Sequence, residues 1–165
     1  MKQQKIIKIH SKSDFNNILQ SKPNGIWRNV IFNAKPISKL EKIIFLSKII
    51  QEHVCKKIFI ETKYSYGSRN KRFEIVFEKN NKIYICKISN PIKFDKDSMD
   101  LDYVITDIAD NFKLKQKCII GLIFIEGVYT QKMISSFEKN LKNNFLFLPF
   151  EISSLTNTLK NGIFN

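Results

Sequence analysis

The chain has 165 residues and a formal net charge of +13, from 28 basic and 15 acidic side chains. This length suits one domain with a sizeable core, and a hydrophobic content of 43% excludes wholesale disorder. The longest apolar run, 118–125, is far shorter than the roughly 20 residues of a membrane-spanning helix. We therefore expect one globular domain over residues 1–165, with no linker and no membrane span.

Strands and helices are predicted to alternate in the first part of the chain. A short strand is expected over 5–10 and a second over 27–32, with a helix between them that Ser11 or Ser13 can cap. The next helix is predicted to begin at Ser38, because Ser38-Lys39-Leu40-Glu41 fits a capping box. Its apolar face continues to residue 54 and consists of Leu40, Ile43, Ile44, Leu46, Ile50 and Val54.

Three strands are predicted next, over 57–64, 72–78 and 82–89, with a polar loop after the first. The last two form a hairpin about Asn80-Asn81, since Asn tolerates the positive φ that a type I′ turn requires. The resulting register opposes Glu78 to Ile83, Phe77 to Tyr84, Val76 to Ile85, Ile75 to Cys86 and Glu74 to Lys87. One apolar face is expected to hold Phe73, Ile75, Phe77, Tyr84, Cys86 and Ile88.

The next helix is predicted to start at Asp97 or Ser98. Its apolar stripe comprises Leu101, Val104, Ile105, Ile108, Ala109 and Phe112. A buried strand is expected over 117–125, because that segment is strongly apolar and rich in β-branched residues.

The C-terminal part is predicted to contain a helix, a strand and a helix. Thr130 caps the first helix, and a short strand over 145–148 is stopped by Pro149. Ser153 or Ser154 opens the last helix, which Gly162 ends. The side chains expected to face inward are Met133, Ile134, Phe137 and Leu141 on the first helix and Leu155 and Leu159 on the last.

The predicted order of elements is β-α-β-α-β-β-β-α-β-α-β-α. This order indicates an α/β domain with a mixed sheet, whose central antiparallel meander spans approximately 57–89. An α+β arrangement remains the alternative. Helices are expected to flank the sheet.

Most of the positive charge comes from lysine, since only three of the 28 basic residues are arginine. A lysine-rich composition is also what A/T-rich codons produce, so the total charge alone does not indicate a partner. A short basic loop is more informative, because arginine forks suit phosphate and tyrosine rings stack on bases. The predicted nucleic-acid-binding residues are Lys63, Tyr64, Tyr66, Arg69, Lys71 and Arg72.

The segment 98–111 stands out against this basic background, because it has four acidic side chains and no basic one. Asp100, Asp107 and Asp110 are expected to point outward, with Asp102 near the flank. Such acids commonly just stabilise the start of a helix. The alternative is that the segment binds a basic protein partner, with Leu155, Leu159 and Phe164 as a second, apolar docking patch.

A candidate catalytic set lies on the meander. Glu74 on its second strand and Lys87 on its third are expected to be cross-strand neighbours, and Glu61 could supply a further carboxylate. The α-β-β-β-α-β order from Ser38 onward resembles that of the PD-(D/E)xK nuclease core. That resemblance implies an acid on the second strand, an acid and a lysine two residues apart on the third, and Mg²⁺ as cofactor.

The sequence departs from that nuclease pattern at residue 85, where Ile85 stands in place of the second acid. Glu52, Glu61 or Glu78 could provide a displaced carboxylate. The alternative is that Glu74 and Lys87 form an ordinary cross-strand ion pair. The chain is therefore either a nuclease, with Mg²⁺ as its cofactor, or not an enzyme of this kind.

No other cofactor or metal site is predicted. His53 and Cys55 are close in sequence, but no second cluster completes four ligands. The three cysteines are far apart and odd in number, and the first 14 residues lack the apolar stretch of a secretory signal. We expect a cytoplasmic or other reducing compartment rather than secretion.

Two functional hypotheses follow. The first is a small nucleic-acid-associated protein that binds the phosphate backbone of DNA or RNA through the basic loop, with the nuclease as its enzymatic version. The second is a non-catalytic protein-interaction or assembly factor, whose positive charge mainly reflects codon bias.

Overall fold

A computed structural model of the protein describes residues 7–8, 30–31, 39–66, 69–160 and 162–164. Its strands are β1 (Ile7–Lys8), β2 (Val30–Ile31), β3 (Ile58–Tyr66), β4 (Arg69–Lys79), β5 (Lys82–Ser89), β6 (Ile119–Ile125) and β7 (Asn144–Pro149). Its helices are α1 (Lys39–His53), α2 (Phe94–Asn111), α3 (Gln131–Glu138) and α4 (Leu155–Lys160), with a 3₁₀ turn at Gln116–Cys118. The predicted helix after Ser11 or Ser13 and the Ser38 cap lie outside the described residues.

The five strands β3 to β7 form one mixed sheet in sequential order, and this confirms the predicted α/β class. Strands β3, β4 and β5 are antiparallel, whereas β5, β6 and β7 run parallel. The meander is thus one part of the sheet, and parallel crossovers through α2 and α3 build the rest. A separate parallel pair joins β1 to β2.

Two hydrophobic clusters cover the two faces of this sheet. Helices α1 and α4 pack on one face, in a cluster that includes Ile50, Phe77 and Leu155. Helices α2 and α3 pack on the other, in a cluster that includes Ile105 and Ile134. Every residue of β6 is buried, as expected for a central strand that both layers cover. No helix in the described ranges has the length and apolar character needed to cross a lipid bilayer.

The β4–β5 hairpin has the predicted turn and four of the five predicted pairs, whereas the fifth, Glu74 opposite Lys87, lies beyond the end of the ladder. Asn80 and Asn81 have φ values of 53° and 63°, and the pairing runs from Lys79 opposite Lys82 to Ile75 opposite Cys86. One facial assignment was wrong, because Phe73 packs against the cluster beneath α2 and α3. Phe73 lies beyond the last β4–β5 pair, where β4 stays paired only with β3.

Helix α2 begins at Phe94, three residues before the predicted Asp97. The carbonyl and side-chain oxygens of Asn90 accept backbone N–H groups from residues 92–94, and this turn starts the helix early. Asp97 and Ser98 therefore lie inside the first turns. The Thr130 cap was predicted correctly, since its hydroxyl oxygen accepts the N–H of Met133.

The predicted docking patch at the C-terminal end was wrong. Leu155, Leu159 and Phe164 are all buried in the cluster beneath α1, so they stabilise the core and present no apolar surface. Phe164 packs edge-on against Phe77 and Tyr84. The inward assignment of Met133 also fails, because this side chain is exposed.

Candidate nucleic-acid interface and the fork beneath it

Strands β3 and β4 remain paired well beyond the point at which β4 separates from β5. The β3–β4 pairing extends to Tyr66 opposite Arg69, whereas the β4–β5 pairing ends at Ile75 opposite Cys86. Residues 62–66 and 69–73 therefore form a two-stranded extension, which we call the ribbon. The predicted polar loop is thus mostly strand, because only two residues separate Tyr66 from Arg69, the commonest hairpin loop length.

The ribbon brings all six predicted nucleic-acid-binding residues into one element. The backbone register opposes Lys63 to Arg72, Tyr64 to Lys71 and Tyr66 to Arg69. No acidic residue occurs between 62 and 73, so the ribbon has a net charge of +4. The register thus concentrates positive charge on one two-stranded segment.

A buried carboxylate lies where the two strands diverge, at a place we call the fork. Glu74 is only 7% exposed, and its Oε2 accepts a hydrogen bond from the backbone N–H of Ile88 on β5. That N–H lies beyond the last β4–β5 pair, so it would otherwise be an unsatisfied donor. The Glu74 side chain thus replaces the missing ladder bond at the split in the sheet.

Lysines from two different elements approach the fork. The Nζ of Lys39, on the first turn of α1, lies 2.8 Å from Oε1 of Glu74, although the Lys39 side chain is 67% exposed. This contact is ionic, since Oε1 makes no hydrogen bond of acceptable geometry within the described ranges. The Nζ of Lys87 lies 3.5 Å from Oδ1 of Asp97, whose Oδ2 accepts the Ser89 hydroxyl at 2.6 Å. The alternative of a direct Glu74–Lys87 ion pair was therefore wrong.

A small pocket of about 80 Å³ opens at the fork. Glu74 and Lys87 line it together with Asp100, from the side of α2. Burial, reinforced by the Glu74 carboxylate, raises the pKa of the Cys86 thiol well above its usual range, so this thiol remains protonated. Cys86 also lines the pocket, together with Phe73, Leu101 and Val104.

The structure brings Glu74 and Lys87 to the same pocket, as predicted from the hairpin register. Position 61 lies between Ile60 and Thr62, whose partners are Ile75 and Phe73, so the register places it opposite residue 74. The other carboxylates considered are elsewhere: Glu78 opposes Ile83 near the hairpin turn, and Glu52 is at the far end of α1, about 20 Å from Lys39 along the helix axis.

Sequence reasoning missed Lys39, Asp97 and Asp100 as neighbours of the fork. Ile85 is buried beneath α2, so the second acid of the nuclease pattern is absent from β5. The acid in contact with Lys87, Asp97, comes instead from the helix that follows this strand. The signal was present as a group of aspartates soon after β5, but it was interpreted only as a helix start and an acidic surface.

The acidic segment 98–111 is less uniform than its charge suggests. Asp102 is buried, and its carboxylate accepts the backbone N–H groups of Lys142 and Asn143, fixing the turn before β7. Asp100 and Asp110 are exposed, as are the side chains of Met99 and Tyr103. A docking role of this segment stays a prediction, now without Asp102 as a surface charge.

Comparisons with known proteins give no family assignment. No protein-family model matches the chain, and no curated protein matches it in sequence. Within the described residues, no group of three or more His, Cys, Asp or Glu side chains is placed to hold a metal ion.

Proposed function

We propose that the protein binds nucleic acid through the ribbon. The observation that supports this most directly is the register, which collects four cations and two tyrosines on a ten-residue hairpin extension with no acid. Five residues per strand give the ribbon a length of about 17 Å. A two-stranded ribbon fits the major groove of B-DNA, and tyrosines can stack on the bases of single strands.

The test measures binding of fluorescently labelled duplex DNA, single-stranded DNA and RNA by anisotropy. Replacing Arg69 and Arg72 together by Ala is expected to raise the dissociation constant about tenfold or more relative to wild type, because two phosphate contacts are lost. Both proteins are compared at salt concentrations of about 50–200 mM. The matched control replaces Lys132 and Lys139, both exposed and on or next to α3, by Ala. The control removes the same charge from a different element of the fold.

Two results would contradict the proposed interface. One is an affinity that does not change with salt concentration for every nucleic acid tested. The other is an equal effect of the Arg69→Ala/Arg72→Ala pair and the lysine control, which would mean that only the total charge matters. Protein purified after a high-salt wash provides the starting material, since co-purified nucleic acid would mask both effects.

A second candidate function is Mg²⁺-dependent cleavage at the fork, with Glu74 and Lys87 as catalytic residues and Glu61 as a further carboxylate. The observation that favours it is the pocket that Glu74 and Lys87 share with Asp100 at the base of the ribbon. Magnesium sites that handle phosphate often use one or two carboxylates plus the phosphates of the substrate. Glu74 and Asp100 could supply such a pair, and Mg²⁺ would stabilise charge on the phosphate.

Cleavage is tested with the same nucleic acids in Mg²⁺ or Mn²⁺. The expected activity is lost in Lys87→Ala and in Asp100→Asn, whereas Asp110→Asn, an exposed aspartate on the same helix, retains it. Absence of cleavage with either metal would overturn the enzymatic function and leave the binding function intact. Activity that survives Lys87→Ala would place the chemistry elsewhere.

A further inference from the structure

A second feature of the fold lies at the carboxyl ends of β6 and β7. These strands are adjacent and parallel, with Ile125 opposite Pro149 at their ends. After β6 the chain passes to α3, whose Ile134 packs on one face of the sheet. After β7 it passes to α4, whose Leu155 packs on the opposite face. The two connections therefore diverge around one point of the sheet edge.

Connections that leave adjacent strands toward opposite faces leave a crevice between them, and ligands of open α/β sheets bind outside the carboxyl ends of the strands. The structure has a crevice at this place, with a volume of about 990 Å³. Its walls are the segment 125–129 after β6 and the segment 149–153 after β7. The volume lies within the range of small-molecule sites.

The polar groups of the crevice favour a ligand without negative charge. Oε1 of Glu126 accepts a bond from Nζ of Lys42 at 2.7 Å, and the Glu126 side chain is still 44% exposed. Glu151 is exposed on the opposite wall and accepts a hydrogen bond from Ser154. Carboxylates accept hydrogen bonds from hydroxyl and amino groups but repel anions. Tyr129 adds a hydroxyl that can donate.

Apolar side chains on both walls complete the site. Val128 is 93% exposed on the β6 side and Ile152 is 44% exposed on the β7 side. Exposed aliphatic groups on two facing walls suit the flat faces of a ring. Gly127, with φ of +115°, shapes the β6 wall, because a Cβ there would lie 3.1 Å from Cδ of Pro91.

We propose that this crevice binds a neutral or cationic ring compound with several hydroxyl or amino donors, the chemical class of the nucleosides. The two carboxylates accept the donors, and Val128 and Ile152 cover the ring. The site is separate from the ribbon, so the inference goes beyond nucleic-acid binding and does not depend on it.

The test titrates the full-length protein with adenosine, guanosine, cytidine and uridine, and with their 5′-monophosphates, by ligand-observed NMR. At least one nucleoside is expected to bind saturably, and its monophosphate about tenfold or more weakly because of charge repulsion. Glu151→Gln is expected to weaken the nucleoside about tenfold and to reduce its advantage over the monophosphate. Glu126→Gln should act in the same direction.

Glu138→Gln on α3 is the matched control, because it makes the same change at an exposed position outside the crevice. Glu151 is exposed, so its variant tests the site even if loss of the Lys42 contact unfolds Glu126→Gln. The proposal is overturned if no nucleoside binds saturably, or if Glu151→Gln binds as the control does. Arg69→Ala/Arg72→Ala should leave nucleoside binding unchanged. A failure of the crevice to bind nucleosides can therefore be distinguished from a failure of the ribbon to bind nucleic acid.

Discussion

Glu74 stabilises the sheet at the point where β4 and β5 separate. A carboxylate at this position satisfies the Ile88 N–H that no strand partner reaches, and it receives the Lys39 ammonium from α1. Nothing in the sequence distinguishes this role from that of Glu78, four positions nearer to the turn on the same strand. The difference arises only because β4 and β5 separate between the two positions.

Replacing Glu74 by Ala is expected to lower the free energy of unfolding by about 1–3 kcal/mol, since a buried backbone donor loses its acceptor. Glu74→Gln should lose less, because the amide oxygen can still accept. Chemical denaturation measures both variants, and Glu78→Ala serves as the control on the exposed part of the same strand. A loss in Glu78→Ala as large as that in Glu74→Ala would contradict the role of the fork carboxylate.

Gly121 on β6 is required by the ring that lies over it. A Cβ at this position would lie 2.3 Å from Cε2 of Phe145, its register partner on β7. Gly121→Ala is therefore expected to cost about 1–3 kcal/mol of stability by overpacking. In a Phe145→Leu background the cost should fall by about 1 kcal/mol, and a double-mutant cycle measures this coupling. Equal costs in both backgrounds would exclude the clash.

The three cysteines are expected to differ in reactivity. Burial raises the pKa of Cys86 well above its usual value, so little of its thiolate forms near neutral pH. Cys118 is only half-buried and should be alkylated first by iodoacetamide, whereas Cys86 should react only after unfolding. Mass spectrometry after timed labelling tests the order. Equal labelling of Cys86 and Cys118 in the folded protein would show that Cys86 is accessible.

At the scale of elements, the sequence predicted those parts of the fold that local chemistry decides. Asn80 and Asn81 fixed the β4–β5 register, and the Thr130 cap located α3. Lys87 and Glu74 could be brought together from that register alone. The start of α2 could not be predicted in this way, because the Asn90 turn competes with the equally plausible caps Asp97 and Ser98.

The ribbon and the surroundings of the fork depend on contacts between distant segments. Whether 65–71 forms a loop or strands is decided by how far β3 and β4 stay paired after β5 departs. Asp97 reaches Lys87 only because α2 crosses over the end of β5. The Gly67-Ser68 dipeptide is a local hairpin signal that was overlooked, whereas no local pattern encodes the contact of Asp97 with Lys87. Sequence reasoning therefore named the predicted binding residues but missed their geometry.

The part of the ribbon farthest from the sheet should be removable without loss of the fold. Replacing residues 64–71 by Asn-Gly joins Lys63 to Arg72 through a two-residue turn. The replacement removes four of the six predicted nucleic-acid-binding residues. Because the sheet core begins at Ile75, the free energy of unfolding is expected to change by less than about 1 kcal/mol, while nucleic-acid binding is lost. Thermal melts and anisotropy measure the two effects. Retained binding would assign the interface to another surface.

At the scale of the whole molecule, the ribbon accounts for four of the thirteen net positive charges. If the ribbon alone contacts the backbone of duplex DNA, log K should fall with log salt at a slope of about −3.6, since each neutralised phosphate contributes about −0.9. Binding measured at several salt concentrations gives this slope. A much steeper slope would mean that lysines across the surface contribute, and Arg69→Ala/Arg72→Ala would then change it little.

The first turn of α1 contacts both the fork and the crevice. Lys39 contacts Glu74 at the fork, and Lys42, three residues later on the same helix face, contacts Glu126 at the crevice. A ligand that displaced either ammonium would act on the same turn of helix. If displacing one ammonium changes how the other is held, occupancy of one site changes the affinity of the other, and thermodynamic reciprocity requires the same factor in both directions.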